Sequence, residues 1–317
     1  MSELKNIDIQ VLDASSSSDF VAVEDRSDLK IQSKMPLFAA DFIENQNILL
    51  IGGGGGGRTG IRNGVIIGRI EGNGSQKTKD QNLKKMVFLK ILNFDQNLAR
   101  CIFVKSDLIA VSYGKYLVFI KNSEISNLLN EDRSPIEKIE CERIGFNIKD
   151  PDFVVRHMSL NPDGNKMAVV ISDNTISLHL LQIGSKWPKM EFEGTIIAPR
   201  QITSIAWSPN GQEIVIAYNW KYFSVFKSSS PHNEIARIPI ESWLHRNDQI
   251  MAFKEAIFVN QKKLLFAVNL LKGKSPISGG AICFYERSFN DSQNWILKRF
   301  CVVNKSGVVL KVFCQNF

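Results

Sequence analysis

Cysteine and histidine are too few and too scattered in this sequence to build a metal centre. The five cysteines (Cys101, Cys141, Cys283, Cys301, Cys314) form no Cys-x-x-Cys pair, and the four histidines (His157, His179, His232, His245) lie far apart. That spacing argues against a zinc site or a disulfide framework and fits a reducing compartment. Long apolar runs are also missing: nothing approaches the ~18 residues of a membrane span. The charged start (Glu3, Lys5, Asp8) has no signal-peptide core. The chain as given is therefore expected to be soluble. Its formal net charge is +7, yet the lysines come in pairs such as Lys84-Lys85 and Lys262-Lys263. No basic helix and no aromatic-interleaved basic run is present, so nucleic acid is not an expected partner.

What is present is a succession of short, β-branched and aromatic runs. Residues 1–34 are polar, with Ser15 to Ser18 in a row, and read as a flexible leader; Phe20 to Val23 could add a strand at an edge. From residue 35 onward strands recur. Leu108 to Tyr113 and Tyr116 to Ile120 flank Gly114-Lys115, a tight-turn pair, and one helical turn is expected near Ser126–Asn130. The clearest repeat pairs 154–180 with 202–226. In the first copy a strand meets Asn161-Pro162-Asp163-Gly164; in the second it meets Ser208-Pro209-Asn210-Gly211. Proline at the second turn position, then Asp or Asn, then Gly, explains each reversal. The two glycines are one unit apart, near the ~40–45-residue period of WD-type propeller blades. A looser copy begins at Ile250, and Val308 to Phe313 reads as further strand. Trp-Asp and Gly-His pairs are absent, so the repeats are divergent. The expectation is an all-β, WD-repeat-type β-propeller over residues 35–317, with roughly five units and a fragment against the ~4–8 blades that close a ring. His157 and His179 fall inside strands and read as structural.

One stretch exceeds the needs of turn chemistry. Ile48-Leu49-Leu50-Ile51 leads into Gly52 to Gly57, then Arg58-Thr59-Gly60-Ile61-Arg62-Asn63-Gly64, then Val65-Ile66-Ile67. Hairpin loops usually hold 2–5 residues, so a longer glycine-rich one asks for a functional reason. Gly52, Gly57, Arg58 and Thr59 match a phosphate-binding loop except that arginine replaces lysine. A glycine run satisfies any glycine spacing, however, and that motif needs a helix after the loop, where Val65, Ile66 and Ile67 predict a strand.

This stretch resembles the first blade of the Sec-twelve family, the endoplasmic-reticulum guanine-nucleotide exchange factors for the Sar GTPase. The family pattern is an apolar strand, four or more glycines, a few variable residues, Gly-Ile, a variable residue, Asn, and a returning strand. Gly60-Ile61-Arg62-Asn63 carries it here. The resemblance implies a seven-bladed propeller whose projecting loop holds a potassium ion and enters the GTPase's nucleotide site, starting the coat protein complex II vesicle coat. It implies that Asn63 is the key exchange residue, that Ile61 is an apolar contact, and that Gly54, Gly55, Gly56, Gly57, Arg58, Thr59, Gly60, Arg62 and Gly64 form the GTPase-binding loop. Gly53, Gly54 and Asn63 would hold the ion. Such a factor needs no bond-making chemistry, because a loop that disturbs the magnesium site is enough to weaken GDP binding.

The family's last two blades and its C-terminal membrane span have no counterpart here, and an open ring would leave unpaired edges. The expectation is therefore a C-terminally truncated propeller, attached to the cytosolic face of the endoplasmic-reticulum membrane only through the absent span. Two other readings stand beside the exchange factor: a propeller scaffold without exchange activity, and, more distantly, a nucleotide-binding enzyme.

Overall fold

A computed structural model describes residues 4–13, 20–24, 29–33, 37–43, 48–55, 63–72, 84–94, 99–105, 107–130, 138–145, 154–172, 175–182, 189–218, 222–239, 249–272, 279–288 and 294–304. The chain divides into two compact units, Met1–Val155 and Arg156–Phe317.

The first unit begins with β1 (Leu4–Asp13) and the hairpin β2 (Phe20–Glu24) and β3 (Leu29–Ser33). Next come β4 (Leu37–Ile43), β5 (Ile48–Gly53), β6 (Gly64–Gly72) and β7 (Lys84–Asn93), then β8 (Ile102–Lys105), β9 (Leu108–Tyr113) and β10 (Tyr116–Lys121). The helix α1 (Asn122–Leu128) and β11 (Lys138–Gly145) complete it. β4 to β7 and β8 to β11 are each a four-stranded antiparallel meander, the pattern of a propeller blade, and β1 lies between β7 and β11 to give one nine-stranded sheet. Both meanders feed one core, where Leu50, Val65, Ile67 and Leu92 meet Ile109, Val111, Val118 and Ile120, with Ile125 and Leu128 of α1. A side-chain bond ties the two: the Val104 N–H donates to Asp41 Oδ2 at 2.8 Å.

The second unit holds three further blades. They are β12 (His157–Leu160), β13 (Lys166–Ser172), β14 (Thr175–Gln182) and β15 (Lys189–Ile197); β16 (Ile202–Trp207), β17 (Glu213–Tyr218), β18 (Tyr222–Lys227) and β19 (Ser230–Pro239); and β20 (Gln249–Asn260), β21 (Lys263–Lys272), β22 (Gly279–Arg287) and β23 (Trp295–Asn304). Each is antiparallel in sequence order. Strand alternation gives the middle sheet two apolar faces. Ile205, Trp207, Ile214 and Ile216 face Ala168, Val170, Ile176 and Leu178 of the preceding blade. Val215, Phe223 and Val225 face Phe253, Phe266, Cys283 and Tyr285 of the following one.

The repeated turns explain why both copies reverse so sharply. Asn161 Oδ1 accepts from the Asn165 and Lys166 N–H groups at 3.0 and 2.9 Å, and Ser208 Oγ does the same job for Glu213 N–H at 2.9 Å. Gly164 (φ 76°) and Gly211 (φ 68°) take the left-handed conformation that these turns require.

Three expectations are corrected. Part of the segment read as a flexible leader is strand: β1 pairs with both β7 and β11, and β2 covers Phe20 to Val23, where a strand was offered, pairing with β3. The helical turn sits earlier than expected, at Asn122–Leu128, because Ile125 and Leu128 are the residues that reach the core. The outer strands β11, β15 and β19 lie where no strand was expected. Val308 to Phe313 lie outside the described residues.

Candidate functional site

The glycine stretch is the connection of a hairpin. β5 and β6 pair from Ile48 opposite Arg69 to Gly53 opposite Gly64, so residues 54–63 span the gap. A strand follows the loop, not a helix, and the arrangement is therefore not that of a phosphate-binding loop.

The foot of this loop is packed, and its glycines have separate reasons. A Cβ at Gly52 would press on the Ala99 carbonyl oxygen at 2.7 Å and on Ile102 Cδ1 at 3.1 Å. A Cβ at Gly64 would collide with the Leu92 carbonyl oxygen. Gly54 has φ 141°, a conformation that side chains disfavour, and a Cβ there would collide with Asn63 Oδ1 and crowd its Cα. The two ends of the loop thus touch across Gly54 and Asn63.

Asn63 is 1% exposed, which places it in the floor of the hairpin and not at an outer tip. Its backbone carbonyl accepts from the Phe94 N–H at 2.8 Å, so β7 also helps to fix it. Gly53 and Gly54 are buried with it, and Gly55 is half-buried. Gly56, Gly57, Arg58, Thr59, Gly60, Ile61 and Arg62 lie outside the described residues. The structure therefore brings together Gly53, Gly54, Asn63 and Gly64 from the predicted set.

The three residues assigned to potassium fit an oxygen-ligated cation in kind. Asn63 brings an amide oxygen against the Gly54 backbone, in a space that a Cβ at Gly54 would fill. Hard cations take such amide and carbonyl oxygens, and usually more of them than these three residues hold.

Elsewhere, His179, read as structural from its place in a strand, belongs to a buried polar pair. His179, on β14, is buried and lies 2.8 Å from Ser177 Oγ through Nε2. Burial lowers its pKa to about 4, with the carboxylate of Glu193 opposing that shift. Glu193 itself is bonded to Lys166 Nζ at 2.9 Å. Ser177 is 4% exposed, so no substrate has access to this pair, and it reads as core polar packing. On the sheet formed by β20 to β23, a cavity of about 630 Å³ is lined by Ile282, Phe284, Lys263, Lys298, Arg299 and Cys301, among others.

No protein-family model and no curated protein matches the chain. Among solved structures, it is similar to a chain of the "Crystal Structure of Mitotic Checkpoint Complex", at 12% identity with a TM-score of 0.52, covering 95% of this chain and 86% of that one. At that identity the likeness shows the fold, a β-propeller.

Proposed function

We propose that this propeller is a guanine-nucleotide exchange factor for a Sar-type small GTPase, acting through the loop of residues 54–63. The observation that carries the reading is the clasp at the loop's foot. A connection this long would ordinarily pay a large entropy to hold any one shape. Closing its base through Gly54 and Asn63, with Phe94 bonded to the Asn63 carbonyl, holds the two ends of the loop side by side. Asn63 then acts chiefly as the residue that fixes where the loop leaves the sheet. Ile61, Arg58 and Arg62 supply the apolar and cationic contacts to the partner. A potassium ion, where bound, would be held by Gly53, Gly54 and Asn63 and would stiffen the same foot. The protein performs no bond-making chemistry: the inserted loop favours the nucleotide-free form of the GTPase. The site of action is the cytosolic face of the endoplasmic reticulum, where coat protein complex II vesicles form.

The test is release of labelled GDP from a Sar-type GTPase with potassium present. The intact chain is expected to speed release well above the spontaneous rate. Asn63→Ala is expected to reduce that acceleration about tenfold, the scale of one lost buried polar contact. Release at the spontaneous rate with the intact chain would sink the reading. If the GTPase binds but keeps its GDP, the propeller is a scaffold, a role that its fold also suits.

A further inference from the structure

β1 is shared by two neighbouring strands. Leu4–Gln10 lies opposite β11, and Gln10–Asp13 lies opposite β7, with Gln10 as the one residue partnered on both sides. Directly opposed residues of an antiparallel ladder share a face, where like charges repel and unlike charges attract. On the β11 side, Lys5 stands opposite Arg143 and Asp8 opposite Glu140. The remaining rungs there are apolar or set a neutral amide against a charge, such as Asn6 opposite Glu142. None joins opposite charges. On the β7 side the sign is reversed: Asp13 stands opposite Lys90. One half of β1 is matched to its neighbour, and the other half is mismatched twice. The first half of β11, Lys138–Cys141, depends on β1 among the described residues, since β10 lies opposite only Glu142–Gly145.

We propose that β11 is a docking edge for an extended segment of a protein partner, and that Leu4–Ile9 is its resident, displaceable occupant. An incoming strand can take over the same main-chain bonds, as in other cases where a peptide adds to a sheet edge. Its chemistry follows from the rungs. It carries an acid opposite Arg143, a base opposite Glu140, a base opposite Glu142, and apolar residues opposite Ile139, Cys141 and Ile144. Gln10 is the pivot, because Val11–Asp13 stays on β7 when the first half leaves. The pivot also shares a rung with the loop foot: Gly53, Gly64, Asn93, Gln10 and Lys138 are successive Cα partners across five strands.

The test uses the full chain and two fluorescent peptides spanning residues 4–13, one of native sequence and one carrying Lys5→Glu with Asp8→Lys. The swapped peptide is expected to bind roughly tenfold more tightly than the native one, from two repulsive rungs turned attractive. Placing the same two substitutions in the chain's own β1 is expected to weaken binding of that peptide about tenfold by the same reasoning. Hydrogen exchange adds a reading that needs no variant: amides of Leu4–Ile9 are expected to exchange faster than those of Val11–Asp13. Equal affinity of the two peptides, no binding of the swapped peptide, or equal exchange in the two halves overturns the proposal. No GTPase enters these measurements, so their failure is separable from failure of the exchange reading.

Discussion

Gly54 and His179 show how a single position can set a measurable property. Any side chain at Gly54 meets both an unfavourable φ of 141° and Asn63 Oδ1. Gly54→Ala is therefore expected to destabilise the first unit by about 1–3 kcal/mol, read from chemical denaturation. The neighbouring Gly55, half-buried, is the matched control expected to cost less. His179 predicts a pH effect. Its pKa is about 4 when folded against an ordinary 6.5, so the unfolded chain binds the extra proton between those values. Stability contributed by the neutral ring is complete above pH 6.5 and is lost as pH falls from 6.5 to about 4, to a total of about 3 kcal/mol. Replacement by glutamine should flatten that slope in a series of unfolding curves.

At the scale of elements, legibility tracked burial. The strands that enter the core announced themselves by β-branched runs: Ile214 to Tyr218 are all buried, and so are Leu117 to Ile120. The outer strands did not. β15 runs Lys-Met-Glu-Phe-Glu-Gly-Thr-Ile-Ile with most positions open to solvent, Phe192 at 65% and Ile197 at 71%, and its ladder to β14 is broken by a shift at Leu178/His179. A strand held mainly by backbone bonds leaves little periodicity to read. β1 escaped for a related reason, since its polar residues alternate with apolar ones in a segment whose serines suggested disorder. The hairpin nature of the glycine stretch was legible from Val65 to Ile67, but the buried position of Asn63 was not, because it depends on β7 arriving from thirty-odd residues further along the chain. Between elements, ion pairs divide by exposure. Arg287 joins Glu213 at 2.6 Å across two sheets with both side chains mostly covered. Glu213→Gln is expected to cost about 2 kcal/mol, because a covered guanidinium over the Trp295 ring is left short of an anion. Glu193→Gln, at the more exposed pair with Lys166, is expected to cost under ~1 kcal/mol in the same assay.

For the whole molecule, what matters is that each unit has its own core. In the second unit aromatic rings pack together: Phe223 lies 4.5 Å from Phe266 and 5.1 Å from Tyr285, centroid to centroid. Phe223→Ala is expected to cost about 3–5 kcal/mol in that unit. A denaturation curve that resolves two transitions would show only the one belonging to residues 156–317 move. The formal net charge of +7 is carried by the second unit, the first being close to neutral.

The middle sheet of that unit, β16 to β19, buries apolar side chains on both of its faces. In a stack of layers stabilised by nearest-neighbour contact, the central layer is the only one whose loss breaks two interfaces at once. Opening either flanking layer leaves it half covered, whereas opening the centre strands both neighbours. Unfolding of this unit should therefore peel inward from its flanks, and the amides of Ile214 to Tyr218 should be the last to exchange with solvent.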